Sequence, residues 1–190
     1  MKKIFLFILT AMLLTGLTGC GAKEEPINNN KNGVNPGQEA NQKDDTAKDT
    51  PKEPSGYAFK HNDVSVYMNT DVEPVIEALG EPLHYFEAES CAFKGLDKTY
   101  TYAGFEITTY PLDEKDYISA INLMDDTVAT PENVYLGSTV DEMIAAYGED
   151  YTESSGSYTY VKDASKLQFI VMNDEIIAIT YLADVEGLEQ

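Results

Sequence analysis

Two stretches of the chain repeat the same helical spacing of apolar residues. Val72, Val75, Ile76 and Leu79 form one set, and Val140, Met143, Ile144 and Tyr147 the other. Steps of three, four and seven residues give a helix with one buried face. Asp71 and Thr139 are the expected N-caps, because their side-chain oxygens can accept from early helical N–H groups. Thr139 with Glu142 makes a capping box. Pro74 falls in a first turn, where its missing N–H costs little. Gly80 and Gly148 fall where a left-handed residue closes a helix.

After each helix the period changes to two. Tyr100-Thr101-Tyr102 leads through Ala103-Gly104 into Phe105 to Tyr110, a turn over residues 111–116 follows, and then Tyr117 to Met124. Later, Tyr158-Thr159-Tyr160 leads into Leu167 to Met172, an Asn173-Asp174 turn, and Ile176 to Leu182. Leu83 to Ala88 reads as a further strand. β-branched and aromatic residues bounded by turn chemistry specify such strands. Helix followed by meandering strands, given twice, predicts an α+β fold.

Displacing the chain by 68 residues aligns Val66-Tyr67 with Val134-Tyr135, Val72 with Val140, Ile76 with Ile144, Ala78 with Ala146 and Gly80-Glu81 with Gly148-Glu149. That is 7 identities in 16 ungapped positions. Similarity at a fixed offset marks a duplicated unit. The expected organisation is a first repeat over 57–133 and a second over 134–190, in one globular unit. The first copy is longer between helix and Tyr-Thr-Tyr, with an insertion at Glu89 to Lys98.

Residues ahead of Tyr57 are of another kind. Lys2 and Lys3 precede an apolar run from Ile4 to Leu17, and Leu17-Thr18-Gly19-Cys20 closes it. That is a secretory signal over 1–19, shorter than the roughly 20 residues that span a bilayer. The closing tetrapeptide resembles the lipobox of bacterial lipoproteins, which implies that Cys20 becomes a lipidated N-terminus. Acyl chains contribute about 0.8 kcal/mol per buried CH₂, so several anchor stably. Residues 20–56 are polar, with Ile27 and Val34 their only large aliphatics. Such a segment is expected to be a disordered tether holding the domain off the membrane.

Charge narrows the partners. From Tyr57 onward there are six lysines, no arginine and 26 acidic residues, a formal charge of −20. That surface repels nucleic acid and anionic lipid head groups and favours a cationic partner or divalent ions, with a merely solvated acidic surface as the alternative. Candidate chemistry is sparse: HExxH, GxSxG, P-loop and CxxC motifs are all missing. Cys91 and His84 could pair as nucleophile and base, but a lone cysteine is more often a small buried residue. Asp125, Asp126, Thr127, Thr130, Glu132 and Asn133 offer oxygens to a hard cation, though a solvated linker explains them as well. No cofactor and no metal is expected.

All 13 tyrosines lie from Tyr57 onward, and tyrosine suits recognition surfaces. By alternation Tyr100 and Tyr102 share one face of the sheet, as do Tyr158 and Tyr160. Either face can be the inward one on sequence alone. These four are the candidate binding residues, with half-buried packing as their alternative role.

The two phrases Val75-Ile76-Glu77-Ala78-Leu79-Gly80-Glu81-Pro82 and Met143-Ile144-Ala145-Ala146-Tyr147-Gly148-Glu149, each followed by strands behind a lipoprotein leader, resemble the tandem-repeat relatives of β-lactamase-inhibitor protein and of the SmpA/OmlA small envelope lipoproteins. The resemblance covers about Val64 to Leu182. It implies one curved antiparallel sheet with helices on one face and the other face open to a protein partner. The inhibitor proteins carry disulfides; this chain cannot form one internally if Cys20 is lipidated. The expected role is a lipid-anchored, non-catalytic protein- or peptide-binding module facing an envelope or extracellular protein. The alternatives are a small-molecule or cell-wall-ligand accessory and an enzyme of another type.

Overall fold

Residues 54–188 are described by the structure, a computed structural model. The expected signal peptide, Cys20 and all of the tether before Pro54 lie outside the described residues. Gly56, counted above with the tether, already packs against Ser165, whose hydroxyl accepts from the Tyr57 N–H at 2.8 Å.

Ten strands and two helices follow in order: β1 (Ala58–His61), β2 (Val64–Tyr67), α1 (Glu73–Leu79), β3 (His84–Glu89), β4 (Leu96–Tyr102), β5 (Phe105–Leu112), β6 (Lys115–Leu123), α2 (Val140–Tyr147), β7 (Thr152–Ser154), β8 (Ser157–Lys162), β9 (Ser165–Met172) and β10 (Glu175–Ala183). β1 and β2 form a separate hairpin. The other eight make one antiparallel sheet in the order β3-β4-β5-β6-β10-β9-β8-β7. The fold is α+β.

Register explains which face is inward. Residues directly opposite in neighbouring strands point to the same face. One row runs Tyr85, Tyr100, Ile107, Ile121, Tyr181, Leu167, Tyr160 across seven strands, and the next runs Tyr102, Phe105, Leu123, Ile179, Phe169, Tyr158. These rows supply most of the core, together with Phe59 and Val66 of the β1–β2 hairpin. Val75, Ile76 and Leu79 of α1 and Val140, Met143, Ile144 and Tyr147 of α2 pack against the same core. Both helices therefore lie on this face.

The helix ends follow the sequence closely in α2 and less closely in α1. Thr139 accepts from the Glu142 N–H at 3.3 Å, and the Glu142 carboxylate accepts from the Thr139 N–H at 2.9 Å. In α1 the flanking residue is Val72, with helical angles and no side-chain cap. Asp71 stands one place further out and still accepts from the Glu73 N–H at 3.1 Å. Gly80 and Gly148 both end their helices at φ +83°, where a Cβ would be strained.

The approaches to the helices are tied to the sheet in the same way. The Asn69 N–H donates to Ile118 O and the Ile118 N–H to Thr70 O. The Gly137 N–H donates to Ile176 O and the Ile176 N–H to Ser138 O. β6 and β10 each carry a bulge just after these contacts, at Ser119 and Ile177. One turn differs from expectation. Only Asp113 and Glu114 form the β5–β6 loop, with φ +50° and +64°, so the strands run on through Pro111 and Lys115. Two positive-φ residues match the twist of the strands they join, and glutamate is an unusual residue in that place.

Candidate functional site

The four candidate tyrosines stand on the core face. Tyr160 is fully buried, and Tyr100, Tyr102 and Tyr158 are half-buried against the core. Their hydroxyls show why. Tyr160 Oη donates to Gly148 O at 2.8 Å, and Tyr102 Oη donates to Gly80 O at 3.0 Å. In each case the last tyrosine of Tyr-Thr-Tyr satisfies the carbonyl of the glycine that ends the helix above it. Burial pushes the Tyr160 phenol up to about 12, and shifts Tyr100 and Tyr102 in the same direction. All four therefore take the packing role on the helix-covered face, and Tyr100 also lines a hollow beside α1.

His84 and Cys91 sit at opposite ends of β3, which at about 3.3 Å per residue separates them by roughly 20 Å. They cannot act as base and nucleophile on one atom. Cys91 is free and exposed rather than buried, because it lies in the loop at the tip of the β3–β4 hairpin. Asp125 spends its carboxylate locally, accepting from the Thr127 N–H at 2.9 Å and the Thr127 hydroxyl at 2.5 Å. Glu132 instead accepts from Tyr147 Oη at 2.5 Å. Among the described residues no three His, Cys, Asp or Glu side chains converge on a point that could hold a metal.

The inserted residues build something the second half of the sheet lacks. β3 and β4 pair from His84↔Thr101 to Glu89↔Leu96, whereas their counterparts β7 and β8 pair over three residues only. The longer hairpin leans on β5: Phe93 meets the Tyr110 ring at 5.0 Å between centroids, and Gly95 lies so close to Pro111 that any Cβ would sit 2.8 Å from its side chain.

Two hollows flank this hairpin. One, of about 380 Å³, lies between α1 and the strands and is lined by Asp71, Glu73, Glu77, Tyr100 and Asp116 among others. The second, of about 660 Å³, lies under the insertion, against Phe93, Leu96, Pro111 and Leu112. They share Lys98, Glu114, Lys115 and Asp116, so they form one cleft. Lys98 Nζ pairs with Asp116 at 2.6 Å and Lys115 Nζ with Asp71 at 2.6 Å. The hydrogen bond that Lys98 donates to Asp116 raises the Lys98 pKa, and the one that Lys115 donates holds Asp71 below the usual carboxylate range. With those two lysines paired, Lys94 stands against Glu73, Glu77, Asp113 and Glu114, so the lining is net acidic beside an apolar floor.

The opposite face of the sheet is polar. Its central row reads His84, Thr101, Glu106, Asn122, Thr180, Gln168, Thr159, Thr152, one residue from each of the eight strands. Thr180 donates to Asn122 Oδ1 at 3.1 Å, and Gln168 donates to Thr159 at 3.4 Å. Leu188 lies at the margin of two shallow hollows on this face.

The tyrosine strands alone leave the inward face open, and the signal that decides it lies in the turns and partner strands. Ala103-Gly104 and Asp163-Ala164 are two-residue turns, so Tyr102 must oppose Phe105 and Lys162 must oppose Ser165. That registers Tyr100 with Ile107 and Tyr160 with Leu167, on the apolar side of alternating strands. The cleft had one sequence signal, the extra length at Glu89 to Lys98.

Among the described residues no helix is long and apolar enough to cross a membrane. No family model matches the chain, and no curated protein matches it. Among solved structures, it is similar to an extracellular protein containing an SCP domain from Bacillus anthracis str. Ames, at 12% identity and a TM-score of 0.37, over 62% of this chain and 44% of that one.

Proposed function

We propose that the chain is a lipid-anchored, extracytoplasmic lipoprotein whose domain is two related helix-plus-strand units and binds a protein or peptide without catalysis. The leader ending in Cys20 supports the anchor. The paired closing glycines, the bulges at Ser119 and Ile177 and the tyrosine-to-glycine bonds support two related units. The observation that carries the binding role is the cleft at the inserted hairpin, since it exists where the halves differ and joins an acidic wall to an apolar floor. A cationic segment of an envelope or extracellular protein is its natural occupant.

The test is affinity capture from the native envelope with the full-length chain in detergent. A partner should be retained by the native chain and by Tyr158→Phe, and lost with Glu73→Lys plus Glu114→Lys. Capture that survives the double charge reversal removes the cleft from the proposal. A second reading, a cell-wall glycan on the polar face, is favoured by its row of hydroxyl and amide side chains. Retention on insoluble cell wall, abolished by Asn122→Ala plus Gln168→Ala, would establish that reading instead.

A further inference from the structure

The two ends of the eight-stranded sheet are unlike each other. β7 ends it with three residues, Thr152–Ser154, a charge at Glu153 and a turn directly after. A short, charged edge is the usual protection against pairing with other chains. β3 ends it with six residues, every one exposed. Leu83, Tyr85 and Phe86 are 65%, 50% and 65% exposed, a cluster of large apolar side chains along one edge. No lysine, proline or bulge interrupts β3, and its two charges, Glu87 and Glu89, lie on one face and leave the other without carboxylates. Among the described residues one side of its backbone has no strand neighbour, so alternate N–H and C=O groups face outward as a template.

We infer that this edge takes a partner strand by β-addition, and that the partner is a basic, extended segment. The inference rests on the binding role proposed above and adds a second contact at this edge, whose strand residues line neither hollow of the cleft. Alternation defines what the added strand must carry. Tyr85, Glu87 and Glu89 point to the helix side of the sheet, and Tyr85 Oη is already hydrogen-bonded to the Glu87 carboxylate. His84, Phe86 and Ala88 point to the other side. A strand laid beside them, in either direction, meets carboxylates and a tyrosine face on one side and the exposed Phe86 ring, between His84 and Ala88, on the other. Alternating basic and apolar residues satisfy both. Six residues at about 3.3 Å each make a seam of about 20 Å.

Charge selects this occupant over a second copy of the chain. Glu81, Glu87 and Glu89 flank or lie on the edge, and no lysine or arginine occurs from Glu81 to Phe93. Pairing of two copies would gather the Glu87 and Glu89 carboxylates of both within one short seam, on chains that each carry −20. A basic segment removes the repulsion instead.

The probe is a synthetic octapeptide of alternating lysine and valine with one terminal tryptophan. The chain contains no tryptophan, so peptide fluorescence reports binding to the full-length protein in detergent. Binding should be at least tenfold tighter than for the same peptide with glutamate in place of lysine. It should fall at least tenfold when alternate peptide nitrogens are methylated, and again with Phe86→Lys plus Ala88→Lys in the protein. Amide exchange from Tyr85 to Glu89 should slow when the lysine peptide is present. Equal binding of the methylated peptide, or protection that appears elsewhere, overturns the β-addition. Slow exchange of the same amides without peptide, rising with protein concentration, also overturns it and assigns the edge to a second copy. Failure of the peptide to bind while envelope capture persists overturns the edge inference and leaves the binding role standing.

Discussion

At the scale of the residue, the tyrosines do structural work that their chemistry makes expensive to lose. Tyr160 is 1% exposed and gives its only proton to Gly148 O. Tyr160→Phe keeps the ring and leaves that carbonyl without its partner, which should cost about 1 kcal/mol. Urea denaturation of the full-length protein would measure it. Tyr102→Phe should cost less, because its bond to Gly80 O lies at a more open site. A gain in stability for Tyr160→Phe would contradict the scaffold role. Alkali should find the same weakness. The folded state raises the Tyr160 pKa from 10.0 to about 12, chiefly by burial. Between those values the folded chain holds a proton that the unfolded chain has released. That contribution to stability is complete below about pH 10 and is lost as pH rises through 12. The urea midpoint should therefore fall from pH 9 to pH 11, and a midpoint that rises would refute the assignment.

At the scale of the element, both helices were legible because stripe and glycine agree, and in α2 the cap agrees with them. α2 shows it best. Thr139→Ala removes the acceptor of the Glu142 N–H and should cost about 1 kcal/mol, whereas Thr139→Ser should cost only a few tenths. Equal loss for both would mean that the threonine methyl, not the hydroxyl, matters. Other elements were less legible for physical reasons. The β1–β2 hairpin is two strands of four residues around Asn62-Asp63, and only its Phe59 and Val66 are buried. Four residues give too few alternations to stand out. β7 has three exposed residues and exists through pairing with β8 alone. The inward face of Tyr-Thr-Tyr is ambiguous within the strand, since tyrosine and threonine each tolerate either face. Only the partner strand, where Phe105 and Ile107 alternate with Glu106 and Thr108, decides it. The cleft was hidden because its walls are far apart in sequence, and extra length at Glu89 to Lys98 says that something is added, not what it encloses.

At the scale of the molecule, the two halves share too much to unfold separately. β6 and β10 are paired from Leu123↔Ile179 to Ala120↔Leu182 at the centre of the sheet. Phe59 of the first hairpin packs on Phe105 at 4.9 Å and on Tyr181 at 5.9 Å, one ring from each half. Tyr57 reaches Tyr147 at 6.2 Å and its N–H is held by Ser165. The N-terminal hairpin is therefore a clasp over the seam, and separating the halves would expose the inner rows of both. A single cooperative transition is expected for residues 54–188, with calorimetric and van't Hoff enthalpies equal and with circular dichroism and tyrosine fluorescence changing together. Phe59→Ala should lower that transition by about 3–5 kcal/mol, the usual cost of emptying an aromatic core site, without splitting it. Two resolved transitions in the native chain would mean that the halves are independent units joined by weak pairing. In that case a partner at the inserted hairpin could not be stabilised by the second half, and the clasp would have no thermodynamic role.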